Sequence, residues 1–289
     1  MIDFLKLHKN HFDFKKFIEH AFAEDVGDGD HTSLSTIPHA HKGHMRLLVK
    51  EDGIIAGVEA AEKIFKLAGK NLKVEVFIKD GAMVKKGDIV LTVKGNTQAL
   101  LTAERLVLNI MQRMSGIATK THYLQSLCKG TKTTVIDTRK TTPGFRFFEK
   151  WAVVIGGGSN HRYGLFDMVL IKDNHIDFAG GIVEAIDAAN AYLKKNKKKL
   201  AVEVETRTLE DVKKVLAHGG VQRIMLDNYS PADTLKAVKL INGKFEVESS
   251  GGITEKNIAA YARCGVDFIS IGALTHHIKS LDLSLKAVK

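Results

Sequence analysis

Leu200–Ser250 reads LAVEVETRTLEDVKKVLAHGGVQRIMLDNYSPADTLKAVKLINGKFEVESS. Three short apolar runs, Leu200–Glu205, Arg223–Asp227 and Phe245–Ser250, each stop at a polar residue. Between them, Leu209–His218 and Pro231–Asn242 place apolar residues three and four apart, the spacing of one helical face. A strand–helix–strand alternation repeating about every 22 residues predicts right-handed βαβ units on a parallel sheet.

The same alternation extends outward on both sides. Thr134–Thr138, Met168–Lys172 and Phe268–Gly272 read as three more strands, and Gly181–Lys195 and Glu255–Cys264 as helices. No Gly-x-Gly-x-x-Gly follows the first strand, which favours a (β/α) barrel over a dinucleotide-binding sheet. An irregular barrel of six or seven strands and a regular barrel of eight both fit this pattern.

The chain before about residue 115 is patterned differently. Phe12–Phe22 and Val58–Leu67 read as helices. His44–Ile55 and Lys73–Val93 hold short strand-like runs with turns at Asp52-Gly53, Asp80-Gly81 and Lys86-Gly87-Asp88. Asp80–Gly95, DGAMVKKGDIVLTVKG, is reminiscent of a biotinyl carrier domain but lacks the lysine presented at a hairpin tip, so plain antiparallel strands are expected. Thr97–Cys128 reads as two helices broken near Ser115-Gly116.

Composition narrows the function classes. Hydrophobic residues make up 44% of 289, enough for a substantial core and too many for a disordered chain. No apolar run is long enough to span a bilayer, and MIDFLKLHKNHFDF lacks the basic-then-apolar order of a signal peptide. Cys128 and Cys264 are too few for a disulfide framework or zinc site, so a reducing cytoplasm is the expected compartment. Lys and Arg total 43 against 33 Asp and Glu, a formal charge of +10 that suits either nucleic acid or anionic metabolites. The lysines at 194, 195, 197, 198 and 199 read as a solvated loop, and one Trp with five Tyr makes no stacking platform, which weighs against nucleic acid.

Working residues of such barrels lie at the C-terminal ends of strands. Those ends are Arg139 and Lys140, Lys172, Glu205, Asp227, Ser249-Ser250-Gly251-Gly252, and Gly272-Ala273. Around the first two, Ile136–Ile176 also contains His161 and Arg162. This cationic group suits a small polyanion, because arginine matches carboxylates and phosphates bidentately and lysine adds a mobile charge. Glu205 and Asp227 suit sugar hydroxyls, a divalent cation, or a developing positive charge. The glycine-rich ends offer backbone N–H groups and a helix start at Thr254 to a phosphate.

Eight motifs carry a family resemblance across nearly the whole chain. They are EDVGDGDHTS (Glu24–Ser33), AERLVLNIMQRMSGIAT (Ala103–Thr119), DTRKTTPGFR (Asp137–Arg146), GGGSNHRYGLFDMVLIKDNH (Gly156–His175), VEVET (Val202–Thr206), MLDN (Met225–Asn228), ESSGGIT (Glu248–Thr254) and GVDFISIGALTH (Gly265–His276). Taken in order, they resemble the quinolinate phosphoribosyltransferases, also called nicotinate-nucleotide pyrophosphorylases (carboxylating). The resemblance implies transfer of the 5-phosphoribosyl group of phosphoribosyl pyrophosphate to the ring nitrogen of quinolinate, with loss of pyrophosphate and CO2. The product, nicotinate mononucleotide, is the first pyridine nucleotide of de novo NAD biosynthesis.

The resemblance also implies an N-terminal α/β sandwich over residues 1–115, which the tail 276–289 could join, and a partly open α/β barrel over 116–275. A homodimer is implied, with Arg105 reaching the partner's site. Arg139, His161, Arg162 and Lys172 would line the pocket for the two quinolinate carboxylates. Lys140 would meet either the pyrophosphate or a carboxylate. Glu205 and Asp227 would contact the ribose hydroxyls directly or through Mg2+, and Glu203, on the same strand face as Glu205, could take its place. Ser250, Gly251, Gly272 and Ala273 would hold the 5-phosphate. No protein nucleophile is required, and neither nucleic acid nor membrane is expected as a partner. The alternatives are a Schiff-base aldolase barrel using Lys172, a related phosphoribosyltransferase with another acceptor, and, on net charge alone, an RNA-binding protein.

Overall fold

The computed structural model describes residues 4–8 and 10–288 of the chain. Its strands are β1 (Lys42–Val49), β2 (Gly53–Ile54), β3 (Lys73–Val76), β4 (Met83–Val84), β5 (Ile89–Asn96), β6 (Thr134–Ile136), β7 (Val169–Ile171), β8 (Val202–Thr206), β9 (Arg223–Asp227), β10 (Glu246–Ser250), β11 (Phe268–Ser270) and β12 (Leu283–Ala287). Its helices are α1 (Phe4–His8), α2 (Phe14–Val26), α3 (His31–Thr36), α4 (Val58–Ala68), α5 (Thr97–Leu127), α6 (Arg146–Ile155), α7 (Asp173–Ala179), α8 (Ile182–Lys195), α9 (Leu209–His218), α10 (Pro231–Ile241), α11 (Ile258–Arg263) and α12 (Ala273–His276). None of these helices is long and apolar enough to cross a membrane.

The chain divides into two compact units. One is built from the chain up to His122, from Thr142–Gly157 and from His277 onward; the other from Tyr123–Thr141 and Gly158–His276. In the first unit β12, β1, β5 and β3 form an antiparallel sheet in that order, with the C-terminal strand β12 paired to β1. Helix α4 turns Val58, Ala60, Ala61, Ile64 and Phe65 into this unit's core. Its start is capped from a distance: the N–H groups of Val58 and Glu59 donate to Asp80 at 2.8 and 3.1 Å, satisfying donors that the helix leaves open.

Helix α5 runs unbroken through Ser115-Gly116, where the sequence predicts a break. Ser115 is fully buried; its hydroxyl donates to the carbonyl of Ala56 and accepts from the Ala56 N–H. A Cβ at Gly116 would come within 2.2 Å of the Lys279 carbonyl oxygen. This glycine therefore marks a close backbone approach within a continuous helix, not a helix end.

Helix α6 has no counterpart in the expected element order. Its segment lies between β6 and β7 in sequence yet belongs to the first unit. Its apolar side packs on rings: Phe147 stacks on Phe12 at 4.2 Å and Trp151 on Phe4 at 5.9 Å between centroids. Also on α6, Glu149 is fully buried and accepts from Arg113 Nε at 3.0 Å and Nη2 at 2.7 Å, and from the N–H and hydroxyl of Thr142 at 3.0 and 2.9 Å. Glu149→Ala would remove the carboxylate whose Oε1 accepts from both Arg113 Nε and Nη2. Arg113 is 30% exposed and can partly hydrate, so the expected loss of stability is about 3 kcal/mol, the lower end for a broken buried pair. Chemical denaturation checks this, and an unchanged midpoint would contradict it.

The second unit is a parallel six-stranded sheet in the order β6-β11-β10-β9-β8-β7. Six strands match the lower of the expected counts. Helices α8, α9 and α10 follow β7, β8 and β9 as βαβ crossovers require. Among the described residues β6 and β7 share no ladder, so the barrel is open there, between the two strands whose connection leaves this unit through α6. The strands are buried at their centres, and β8 is buried along its whole length.

Candidate active site

A cavity of about 770 Å3 opens at the C-terminal ends of the second unit's strands. It is reached from β6 by Thr138, Arg139 and Lys140 and from β7 by Leu170, Lys172 and Asp173, so the two edges of the sheet face one space. Of the residues singled out above for the substrate pocket, all line it except Arg105 and Glu203, the stand-in for Glu205. Arg105 is exposed on α5, in the first unit.

The cationic side is organised by a buried carboxylate. Asp137, fully buried at the end of β6, accepts from the backbone N–H of His161 at 2.9 Å and from the Asn160 amide at 2.6 Å. This pins the 159–162 loop beside Arg139 and Lys140. Arg162 is anchored by a 3.2 Å bond from Nη1 to the Met168 carbonyl. Burial first, then the neighbouring Arg139 charge, pulls the Arg162 pKa down from its ordinary value, which marks a site where cations are crowded for an anion to relieve.

His161 is only 7% exposed, and its ring is engaged on both sides. Nδ1 accepts the Arg162 backbone N–H at 2.6 Å, and Nε2 lies 3.1 Å from Glu203. The opposite wall is acidic. Glu205, Asp227 and Asp173 line it. Burial and then the charges of Asp227 and Asp173 push the Glu205 carboxyl upward, with Lys172 and Arg207 opposing. Glu203 and Glu205 both point inward from β8, as period two requires, but at different depths. Glu205 lines the cavity, whereas Glu203 is fully buried in the layer below.

The glycine-rich ends close the site. Gly251 has a φ of +90°, and a Cβ there would meet Asn228 Oδ1, also in the cavity wall. At Gly272 a Cβ would come within 3.0 Å of Lys140 Cδ, so the lysine stem crosses this glycine. The Lys140 backbone is fixed in turn: its carbonyl accepts from Thr275 Oγ1 at 2.7 Å, and its N–H donates to Thr138 Oγ1 at 3.0 Å. The helix expected over Glu255–Cys264 is shorter, starting at Ile258 after a turn, because Asn257 accepts from the Thr254 N–H and donates to the Gly252 carbonyl. A loop, rather than a helix terminus, therefore lines the cavity here.

Sequence reasoning did not single out Asp137, Asp173 or Asn228 as functional, nor Glu248. Glu248 could have been found by counting back two from Ser250 along β10, since both face inward.

Comparison with known proteins agrees with this architecture. The model of the quinolinate phosphoribosyl transferase N-terminal domain matches residues 30–115, and that of the C-terminal domain matches residues 117–286. The chain is 49% identical over 290 residues to the nicotinate-nucleotide pyrophosphorylase [carboxylating], chloroplastic, of Arabidopsis thaliana, covering 95% of this chain and 83% of that one. It is 41% identical over 276 residues to the probable nicotinate-nucleotide pyrophosphorylase [carboxylating] of Bacillus subtilis, covering 96% and 94%. The crystal structure of NadC from Streptococcus pyogenes superposes with a TM-score of 0.90 at 37% identity, covering 96% of this chain and 97% of that one. With both domain models matched in order and these relatives covered over most of their length, the chain belongs to the quinolinate phosphoribosyltransferase family.

Proposed function

We propose that the cavity takes quinolinate on its cationic wall and phosphoribosyl pyrophosphate on its acidic and glycine-rich walls. The chain is a decarboxylating pentosyltransferase of NAD biosynthesis. The observation that carries the site reading is the meeting, in one cavity, of a cationic cluster, a carboxylate pair and two glycine strand ends. Each matches one part of the two substrates.

Arg139, Arg162 and Lys172 receive the two quinolinate carboxylates. His161 holds the loop that carries Arg162 and contributes the edge of its ring. Lys140, whose stem crosses Gly272, serves the phosphate and pyrophosphate side. Ser250, Gly251, Gly272 and Ala273 hold the 5-phosphate through backbone N–H groups. Glu205 and Asp227 accept from the ribose hydroxyls. A second copy of the chain supplies Arg105 to complete the carboxylate pocket. Cys128 and Cys264, both buried free thiols, suit a reducing compartment such as the cytoplasm.

The carboxylates fit Mg2+ by their chemistry. Glu205, Asp227 and Asp173 are oxygen donors; burial first, then the charges of Asp227 and Asp173, raises Glu205, and a hard dication would relieve the charge repulsion. Glu205 and Asp227 would meet it through water or the sugar hydroxyls, not as direct ligands. When bound, Mg2+ neutralises charge on the departing pyrophosphate.

The chain's own residues do the rest. As the bond from ribose C1 to pyrophosphate breaks, its electrons leave with the pyrophosphate and positive charge develops on the sugar. Glu205 and Asp227 stabilise that charge, and Lys140 the leaving group. The quinolinate nitrogen, held in place by its carboxylates, bonds to C1 and the ring becomes a pyridinium. The C2–carboxylate bond then breaks, CO2 leaves, its electron pair stays on the ring, and a proton fills C2.

Because the pocket presents several cations to one small ring, it should discriminate by carboxylate count. Calorimetry is expected to show nicotinate, with a single carboxylate, binding at least about thirtyfold more weakly than quinolinate, the loss of one buried charge pair. Equal affinity would overturn the assignment of the cationic wall.

A further inference from the structure

Below the cationic wall, and in contact with His161, lie ionisable groups that the reaction does not use. Glu203 on β8 and Glu248 on β10 are fully buried, with His161 between them. His161 Nε2 lies 3.1 Å from Glu203 Oε2 and 3.5 Å from Glu248 Oε2. Its Nδ1 accepts a backbone N–H, so in the neutral ring the proton sits on Nε2, turned toward the two carboxylates. Arg223 on β9 completes the layer. Its Nη1 is 3.3 Å from Glu248 Oε2 and 4.0 Å from Glu203 Oε2. The same guanidinium also donates to Glu246 at 3.0 and 3.1 Å and lies over the Phe268 ring at 4.0 Å. From β11, Ser270 hydrogen-bonds Glu248, and from the loop above, Arg162 acts on Glu203.

The charges do not balance with every group ionised. Two fully buried carboxylates, Glu203 and Glu248, face Arg223, whose third partner, Glu246, is half exposed and keeps its charge in water. With Glu203 and Glu248 both as bare acceptors, neither Glu203 oxygen nor Glu248 Oε1 meets an aligned donor. Isolated buried carboxylates without donors are costly, and such pairs relieve the cost by holding a proton between them. Burial pushes both upward, Glu203 to about 7 and Glu248 to about 8, with the Glu203 charge adding to the rise at Glu248. A divalent metal on His161, Glu203 and Glu248 is the geometric alternative, since their ligand atoms lie within 4.8 Å of one another. A guanidinium already bonded to Glu248 disfavours a second cation there.

We propose that Glu203 and Glu248 share one proton and, with Arg223, form an electroneutral floor that sets the His161 tautomer and leaves Arg139, Arg162 and Lys172 free for the substrate carboxylates. Both glutamates are positioning residues for the quinolinate subsite, and the inference rests on the reading of that subsite given above. The sign follows from the raised carboxyls. As pH rises through the pair's titration the shared proton is lost, and a negative charge appears beneath a dianionic ligand. Quinolinate binding then weakens, and at pH 8 binding draws a proton back in.

The test is calorimetry of quinolinate binding to the full chain between pH 7 and 9, in buffers of low and high ionisation enthalpy. Wild type is expected to take up protons at pH 8 and to weaken about tenfold across this range, the effect of one pKa unit of coupling. Glu248→Gln and Glu203→Gln, either of which suffices if the other fails to fold, are expected to show no uptake and less than about a twofold pH dependence. Uptake and slope unchanged in the variants, or no uptake in wild type, would overturn the proposal. So would a stoichiometric metal that wild type retains and Glu248→Gln loses. The infrared band of a protonated carboxyl, present in ligand-free wild type at pH 7 and absent in Glu248→Gln, reads the shared proton without substrate. If the band is present but quinolinate binds at no pH, the subsite reading fails and the proton pair stands; if it is absent, the pair fails.

Discussion

Arg139→Ala is expected to cost about 2–5 kcal/mol of quinolinate binding, at least thirtyfold in Kd. The residue is exposed at the end of β6, where Asp137 and the 159–162 loop hold its neighbours, so its side chain supports little of the core. Its removal deletes a bidentate donor to one carboxylate and leaves Arg162 with one cation fewer beside it. The Arg162 pKa should then rise toward its ordinary value, because the Arg139 charge is one of the causes that lower it. The expected pattern is therefore a large rise in quinolinate Kd with an unfolding midpoint close to wild type. Lysine at this position should recover only part of the affinity, since it restores charge without the fork. Calorimetry and thermal melting separate these effects, and unchanged affinity in Arg139→Ala would contradict the assignment.

Asp227→Asn is the second large effect, and it should appear in turnover. Asp227 closes the acidic wall with Glu205 at the end of β9, and its charge raises Glu205. Asparagine keeps the size and one acceptor oxygen, but it removes a negative charge from where the sugar becomes positive. The expected loss is about 100- to 1000-fold in kcat, the scale for deleting one electrostatic stabiliser of a transition state. The same substitution removes the like charge facing Glu205, so Glu205 should ionise more readily in the variant. The loss from changing both residues is expected to be smaller than the product of the single losses, because they act on one developing charge. A kcat within about threefold of wild type would place the charge stabilisation elsewhere.

Much of this site was legible because parallel strands buried on both faces have few places to put a charge. Arg223–Asp227 and Phe245–Ser250 announce themselves as apolar runs that stop at polar residues, and the structure places those stops around one cavity. The layer beneath was harder to read. Glu203 and Glu248 interrupt their strands with charges that look solvent-facing by composition, although both are fully buried. Only the pairing of β8 and β10 with β9 brings them to Arg223 and His161.

Helix α6 was missed although its sequence carries the signal: Phe147, Phe148, Trp151, Ala152 and Ile155 recur three and four apart, opposite Arg146, Glu149 and Lys150, the spacing of one helical face. Its ion pair with Arg113 joins residues far apart in sequence and leaves no local signal. The break expected at Ser115-Gly116 failed because the sequence carries glycine there for a backbone approach that only tertiary packing reveals.

The central claim is that one cavity joins a pyridine dicarboxylate to a phosphoribosyl group. The most direct measurement supplies quinolinate labelled in its 2-carboxylate with phosphoribosyl pyrophosphate and Mg2+, and follows labelled CO2, pyrophosphate and nicotinate mononucleotide together. All three are expected in equal amounts, with none formed when nicotinate replaces quinolinate or when EDTA is added. Turnover of nicotinate, or pyrophosphate release without labelled CO2, would contradict the account.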